Sequence, residues 1–162
     1  VANGGSQTLK ECGVVEFLAR GDFNYLTVNE DMTGREKKEI MRKRFFADDF
    51  FLSANAVTID GRIFQEDGAS TRVAPMIYGP DNVIIVIGKN KIVDTEGQAK
   101  ARIKKVAPQN CAKAGFDTPC AVDGRCHDCR VPARSCCTSV TLNYSRIPDR
   151  IKVIIVNEDL GI

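Results

Sequence analysis

The sequence predicts an α/β domain with a mostly parallel sheet and one β-hairpin. Three observations carry this. Helix-start signals alternate along the chain with short apolar runs. Two of those runs, Val83–Ile87 and Val153–Val156, are continuous and β-branched, as suits parallel strands buried on both faces. The dipeptide Asp60-Gly61, between Ala56–Ile59 and Arg62–Gln65, is a strong hairpin turn signal.

Val1–Asn3 reads as the end of a strand, followed at once by Gly4-Gly5-Ser6. Thr8-Leu9-Lys10-Glu11 fits a capping box, which predicts a helix to about Leu18, with Gly13 an irregularity inside it. Thr33-Gly34-Arg35-Glu36 opens a basic helix that turns Ile40, Met41 and Phe45 inward. Asp49–Ser53 is a short apolar strand, and the hairpin follows it. Ser70 or Thr71 begins a helix with Arg72 in its first turn. Thr95-Glu96-Gly97-Gln98 opens another, with Ala99, Ile103 and Val106 at i, i+4 and i+7. Pro108 is expected to end that helix or start a new turn. The segment from Phe116 to Ser139 has no periodic pattern and reads as a long, Cys-rich loop. Loops of that length in compact domains are usually functional, disordered or cross-linked.

Length and composition bound the function. The 162 residues make one domain, and 43% hydrophobic with 27% charged residues is the balance of a globular protein able to build a core without disulfides. A net charge of +2 argues against nucleic acid or an anionic membrane as partner. The apolar runs are far too short to span a bilayer. The start, Val1-Ala-Asn-Gly-Gly-Ser6, shows no signal-peptide pattern, and the odd cysteine count with isolated Cys12 and Cys111 points away from a secreted disulfide scaffold. A cytoplasmic location is the expectation.

Several places can carry chemistry. Gly4-Gly5-Ser6 stands at a strand-to-helix junction, where backbone N–H groups can approach an anion; the plainer reading is a tight turn capped by Ser6 or Thr8. Asn55, with the run Gln65–Arg72, is the second candidate. Asn55, Asp67 and Gly68 follow strand signals, and Arg72 offers a fork for carboxylate or phosphate. An N-capped helix with a solvated Arg explains the same residues. Lys89-Asn90-Lys91, and Glu158 with Asp159, also follow strands but read more simply as polar loops. His127 is the single histidine, which argues against a triad hydrolase, and no nucleophile elbow, Walker A loop or H-E-x-x-H motif occurs.

Five of the seven cysteines fall between Cys120 and Cys137, spaced C-x5-C-x2-C-x6-C-C. Cys120, Cys126, Cys129 and Cys136 are candidate ligands for zinc or an iron–sulfur cluster, with Cys137 as a spare thiol. Free thiols that oxidise to disulfides are the alternative. Arg125, Arg130 and Arg134 are expected to lower the thiol pKa values.

Taken together, these segments resemble the LUD domain family, named for lactate utilisation, and in particular its short stand-alone members. Gly4-Gly5-Ser6-x-Thr8-Leu9-x-Glu11-x-Gly13 is similar to the family's G-G-S-x-T-L-x-E-x-G. Asn55-Ala56-Val57-Thr58-x-Asp60-Gly61 is similar to its N-A-(I/V)-T-x-D-G. The resemblance continues through Asp67-Gly68, Arg72-Val73-Ala74, Ile77-Tyr78-Gly79-Pro80, Asn90-Lys91-Ile92-Val93 and the cysteine signature at Cys120, Cys126, Cys129 and Cys136. It covers essentially the whole chain, and implies a single LUD domain over residues 1–162 without the longer N-terminal segment usual in the family. It also implies a three-layer NagB/ribose-phosphate isomerase/CoA-transferase-like fold, whose relatives bind phosphosugars, CoA esters or folates at the carboxyl edge of the sheet.

The expectation is an accessory component of lactate or organic-acid oxidation. Gly4, Gly5, Ser6, Asn55, Asp67, Gly68 and Arg72 would form a pocket for an anionic small molecule, a carboxylate or phosphate. Cys120, Cys126, Cys129 and Cys136 would form a metal or cluster site, with iron–sulfur proteins as redox partners. Two alternatives stand beside it. One is an isomerase or acyl/CoA-transferase-type enzyme using Asp67 or Glu158. The other is a non-catalytic scaffold with a structural zinc clip.

Overall fold

A computed structural model describes residues 1–162. The strands, in chain order, are β1 (Ala2–Asn3), β2 (Asp49–Leu52), β3 (Ala56–Thr58), β4 (Ile63–Asp67), β5 (Asn82–Gly88), β6 (Ile92–Val93), β7 (Thr138–Leu142) and β8 (Ile151–Val156). The helices are α1 (Gln7–Glu11), α2 (Val14–Arg20), α3 (Gly34–Lys43), α4 (Val73–Ile77), α5 (Glu96–Lys113) and α6 (Pro119–Asp123). The chain forms two units. One comprises Val1–Ser53, Thr71–Asn90 and Ser145–Gly161; the other comprises Ala54–Ser70, Lys91–Tyr144 and Ile162. No helix is long and apolar enough to cross a membrane.

The first unit is built on a parallel sheet in the order β1-β2-β5-β8. Strand alternation splits β5 between two faces. Ile84 and Val86 pack with Leu9, and Cys12, Val14, Val15, Phe51 and Val156 close over that cluster. Val83, Ile85 and Ile87 point the other way and are fully buried. The apolar run in β5 is therefore buried on both faces, as its composition requires. The run in β8 is not. Val153, Ile154 and Ile155 are 38%, 50% and 57% exposed, because β8 is the sheet's edge and has a neighbour on one side alone.

The helices of this unit depart from the sequence pattern at α1. Thr8 is not the cap. Ser6 is extended, and its Oγ accepts the N–H of Leu9 at 3.4 Å. Thr8 is buried inside the helix and donates to Leu160 O at 3.5 Å. Gly13 adopts φ +75°, a left-handed conformation that glycine reaches without strain, and so divides the expected helix into α1 and α2. At α3 the capping box forms as expected: Thr33 Oγ1 accepts from Glu36 N at 3.3 Å, and Glu36 Oε2 accepts from Thr33 N at 2.7 Å. Ile40, Met41 and Phe45 are half-buried, and it is Arg44, in the 3-10 turn after α3, that is buried.

The second unit holds a mixed sheet in the order β6-β3-β4-β7. β3 and β4 form the expected antiparallel hairpin, with Gly61 at φ +87° in the turn. β7 pairs antiparallel with β4, and β6 parallel with β3. Ala99 and Ile103 of α5 pack on Ala56 and Phe64, with Val93 beside them. Burying an Ile or Phe side chain in this way contributes roughly 1.5–3 kcal/mol each. The box at Thr95 forms, but Pro108 does not end α5, which runs to Lys113. Pro108 is itself buried, and Val106 and Cys111 are buried on either side of it, so packing holds the helix through the missing N–H. The Cys-rich stretch 116–139 is not loop throughout: α6 lies in it, and β7 begins at its end.

Candidate functional site

In the first unit, β1 ends at Asn3, and Gly4 N donates to Phe51 O at 2.8 Å, extending the ladder by one bond at the carboxyl edge of the sheet. A Cβ at Gly4 would stand 2.7 Å from Arg72 Cγ and 3.3 Å from its Cβ and Cδ. Glycine is thus required where the Arg72 stem lies across the backbone. Arg72 occupies the N-cap position of α4 rather than its first turn. Nothing lies within 4 Å of a Cβ at Gly5. α1, with five residues, has little macrodipole to offer an anion. The favourable charge beside this turn is therefore the Arg72 guanidinium.

The loops at Lys89–Lys91 and Glu158–Asp159 are structural. Asn90 Oδ1 accepts from Leu160 N at 3.2 Å, and its Nδ2 donates to Leu160 O at 3.4 Å. Lys89 N donates to Glu158 O at 3.0 Å.

In the second unit, Asn55 is pinned between β3 and β4. Its N–H is shared between Phe64 O at 3.0 Å and Gln65 Oε1 at 3.2 Å. Its Oδ1 accepts from Glu66 N at 2.8 Å, and its carbonyl accepts from Arg102 Nη1 at 2.7 Å. Arg102 is half-buried, and desolvation pulls its pKa down. Asp67, 5% exposed, ends β4; its carbonyl accepts from Cys137 N at 3.0 Å. Gly68 passes close to the Ser135 backbone, where a Cβ would lie 3.1 Å from the carbonyl oxygen. Of the seven expected pocket residues, Gly4, Gly5, Ser6 and Arg72 belong to the first unit and Asn55, Asp67 and Gly68 to the second. The structure brings Gly4 against Arg72 and ties Asn55 to the strand that carries Asp67.

The cysteine segment is held by Arg134. Its Nε donates to Cys136 O at 2.8 Å, Nη1 to Cys129 O at 2.6 Å and Nη2 to Asp128 Oδ1 at 2.8 Å. All seven thiols are free. Cys120 is buried beside Thr118 Oγ1 at 3.3 Å. Burial pushes its thiol pKa up against the Thr118 bond, and hydrogen bonding to Cys111 raises it further. Burial also raises Cys136, outweighing the Arg134 charge. The expected lowering by the arginines fails at both thiols: at Cys136 desolvation of the thiolate exceeds the attraction of the Arg134 guanidinium, and at Cys120 the opposing influence is the Thr118 hydroxyl rather than an arginine. Cys111, at the end of α5, shares a hydrogen bond of 3.0 Å with Ser135 Oγ, and no spacing rule had drawn it into the cluster. His127 pairs with Asp123 at 2.7 Å instead of joining the thiols. Nowhere do three or more His, Cys, Asp or Glu side chains form a group that could hold a metal ion. The thiols of Cys120, Cys126, Cys129 and Cys136 are not gathered into such a group. A cavity of about 440 Å³ beside this segment is lined by Thr118, Pro119, Val122, Val131, Pro132, Ala133 and Asp117, with no cation to receive an anion.

A family model described as the LUD domain matches residues 1–156. The crystal structure of a DUF162 family protein from Deinococcus radiodurans is similar at 14% sequence identity; the match covers 97% of this chain and 87% of that one, with a TM-score of 0.43. No curated protein matches the chain.

Proposed function

The chain belongs to the LUD domain family, and from that membership we propose that it is an accessory component of lactate or related organic-acid oxidation that binds a small anionic molecule. We assign the domain the three-layer NagB/ribose-phosphate isomerase/CoA-transferase-like arrangement, and iron–sulfur proteins as its redox partners. The observation that carries the binding reading is the Arg72 stem laid across Gly4 at the carboxyl end of β1. Ligands of open α/β sheets bind at the carboxyl ends of the strands, and a guanidinium there provides paired donors for a carboxylate or phosphate.

Calorimetric titration with L-lactate, pyruvate, inorganic phosphate and CoA tests it. The wild-type chain is expected to bind at least one of them, and Arg72→Ala to weaken that binding by about tenfold or more, about 1.4 kcal/mol. Unchanged affinity in Arg72→Ala for whichever anion binds removes Arg72 from the site. Asp67, a carboxylate 5% exposed at a strand end, favours a second reading, an isomerase or acyl/CoA-transferase-type enzyme. Binding of CoA esters or sugar phosphates, with none of lactate or pyruvate, points there.

A further inference from the structure

β8 closes the parallel sheet of the first unit at one edge, with β5 as its single neighbour. The ladder fixes which of its backbone groups are used. Val83 N donates to Arg150 O at 2.7 Å, so Arg150, Lys152, Ile154 and Val156 turn their backbone groups to β5. Ile151, Val153 and Ile155 turn theirs outward. Such an edge is a template for another strand, and natural proteins blunt it with charge, proline or a bulge. β8 has no proline, and its register with β5 is unbroken from Ile151 to Val156. Its one charge, Lys152, turns back: Nζ donates to Asn82 Oδ1 at 2.7 Å and to Asp149 O at 2.5 Å. The next three residues, Val153, Ile154 and Ile155, are β-branched and exposed, and alternation places them on both faces of the sheet.

The strand is complementary to itself. A positive charge stands near its start, at Lys152, and negative charges follow its end, at exposed Glu158 and Asp159. Antiparallel to a second copy about a two-fold axis, each basic start meets an acidic end; parallel to it, like charges meet. With Ile154 on the axis, Ile154 faces its own counterpart and Val153 stands opposite Ile155 of the second copy. Lys152 is then diagonal to Glu158 of that copy, within reach of long side chains. The outward N–H and C=O groups of Val153 and Ile155 pair with each other in this register. The exposed β-branched side chains on each face are covered by the same residues of the copy.

We propose that the β8 edge docks a second copy of this chain, strand against strand and antiparallel, across a two-fold axis at Ile154. The inference is independent of anion binding. Six residues of strand are fewer than the roughly 20–30 a side of a stable interface, so the dimer forms at micromolar concentration or above rather than at nanomolar.

Sedimentation velocity between about 5 and 500 μM tests it, with a reductant present to prevent disulfides between exposed Cys126 and Cys137 of different molecules. Wild type is expected to pass from monomer to dimer over that range. Ile154→Lys and Ile154→Glu each set like charges opposite one another on the axis. Each alone should associate at least about tenfold more weakly, and an equimolar mixture of the two should dimerise again. Ile154 is half exposed, so both variants should melt near wild type. Val153→Pro deletes an outward N–H without touching the β5 ladder; it should also weaken the dimer, and serves if the charged variants do not fold. Wild type that stays monomeric throughout overturns the inference and leaves the edge to a strand of another protein. A dimer that survives all three substitutions overturns it too, and places the contact elsewhere. Monomeric charged variants whose mixture stays monomeric refute the antiparallel pairing at Ile154.

Discussion

Replacing Gly4 with alanine tests whether the close approach of Arg72 to the β1 turn is a built contact. The new Cβ would stand 2.7 Å from Arg72 Cγ and 3.3 Å from its Cβ and Cδ. Non-bonded carbons settle near 3.5–4.0 Å, so the Arg72 stem must withdraw by about 1 Å. The stem is anchored at the start of α4 and cannot swing aside as a free side-chain end would. Overpacking of this kind costs roughly 1–3 kcal/mol. For a chain of this length that is a fall of roughly 2–4 °C in melting temperature per kcal/mol. Gly5 is the internal control: nothing lies within 4 Å of its Cβ, and alanine there should stay within about 0.5 kcal/mol of wild type. The Arg72→Ala background supplies a second control, because Cγ and Cδ are gone. Gly4→Ala should then cost far less, giving a coupling energy of about 1–2 kcal/mol in the double-mutant cycle. Urea unfolding of the four proteins measures the cycle, and anion titration follows the guanidinium. If Gly4→Ala matches Gly5→Ala in stability, with no coupling to Arg72, the contact does not exist and the binding argument built on it fails.

Thr95→Ala removes a hydroxyl that accepts from Gln98 N at 3.3 Å, and should cost about 1 kcal/mol in urea unfolding. Asp60 is held down to about 2, by Arg62 first and Thr58 next, so NMR titration should place its midpoint well below 3.8; its contribution to the hairpin is present above that value and is lost as pH falls towards 2. A thiol-specific disulfide reagent at neutral pH should modify exposed Cys126 and Cys137 quickly, and buried Cys111 and Cys120 only on unfolding. Because burial raises Cys120 and Cys136 above 9.0, the stability they contribute is complete below pH 9 and declines as pH rises beyond it, which melting curves between pH 7 and 10.5 would register.

Local signals read well where the physics is local. The boxes at Thr33 and Thr95 each close within four residues, and the Asp60-Gly61 turn is specified by its own dihedral needs. Reading failed where distant packing decides. Thr8 has a cap's sequence context, but burial against Leu160 makes it an interior residue and leaves the cap to Ser6. Pro108 would end a solitary helix, yet α5 is held on both sides of it by buried residues. The runs in β5 and β8 are alike in composition, but one is central and the other an edge, and composition alone does not encode sheet order.

The same division holds at the site. Gly4 and Arg72 were visible because glycine before a helix and arginine after a strand have few better uses, but their mutual contact was not. Asn55 was visible for its place, whereas its carbonyl bond to Arg102 spans 47 residues. In the cysteine segment, spacing suggested a ligand set and the arginines suggested thiolates. Both arguments treat residues as solvated neighbours along a line. Burial reverses the charge argument at Cys120 and Cys136, and Arg134 spends its donors on backbone carbonyls and Asp128. Gln65 opens the second candidate run, yet the sequence gives it no role, for a related reason. In a strand pattern a glutamine is an unremarkable polar residue, and it gains meaning only when its Oε1 is found committed to Asn55 and its Nε2 is found buried with nothing to donate to. An unsatisfied donor is a property of the completed hydrogen-bond account of a fold, and no linear motif can carry it.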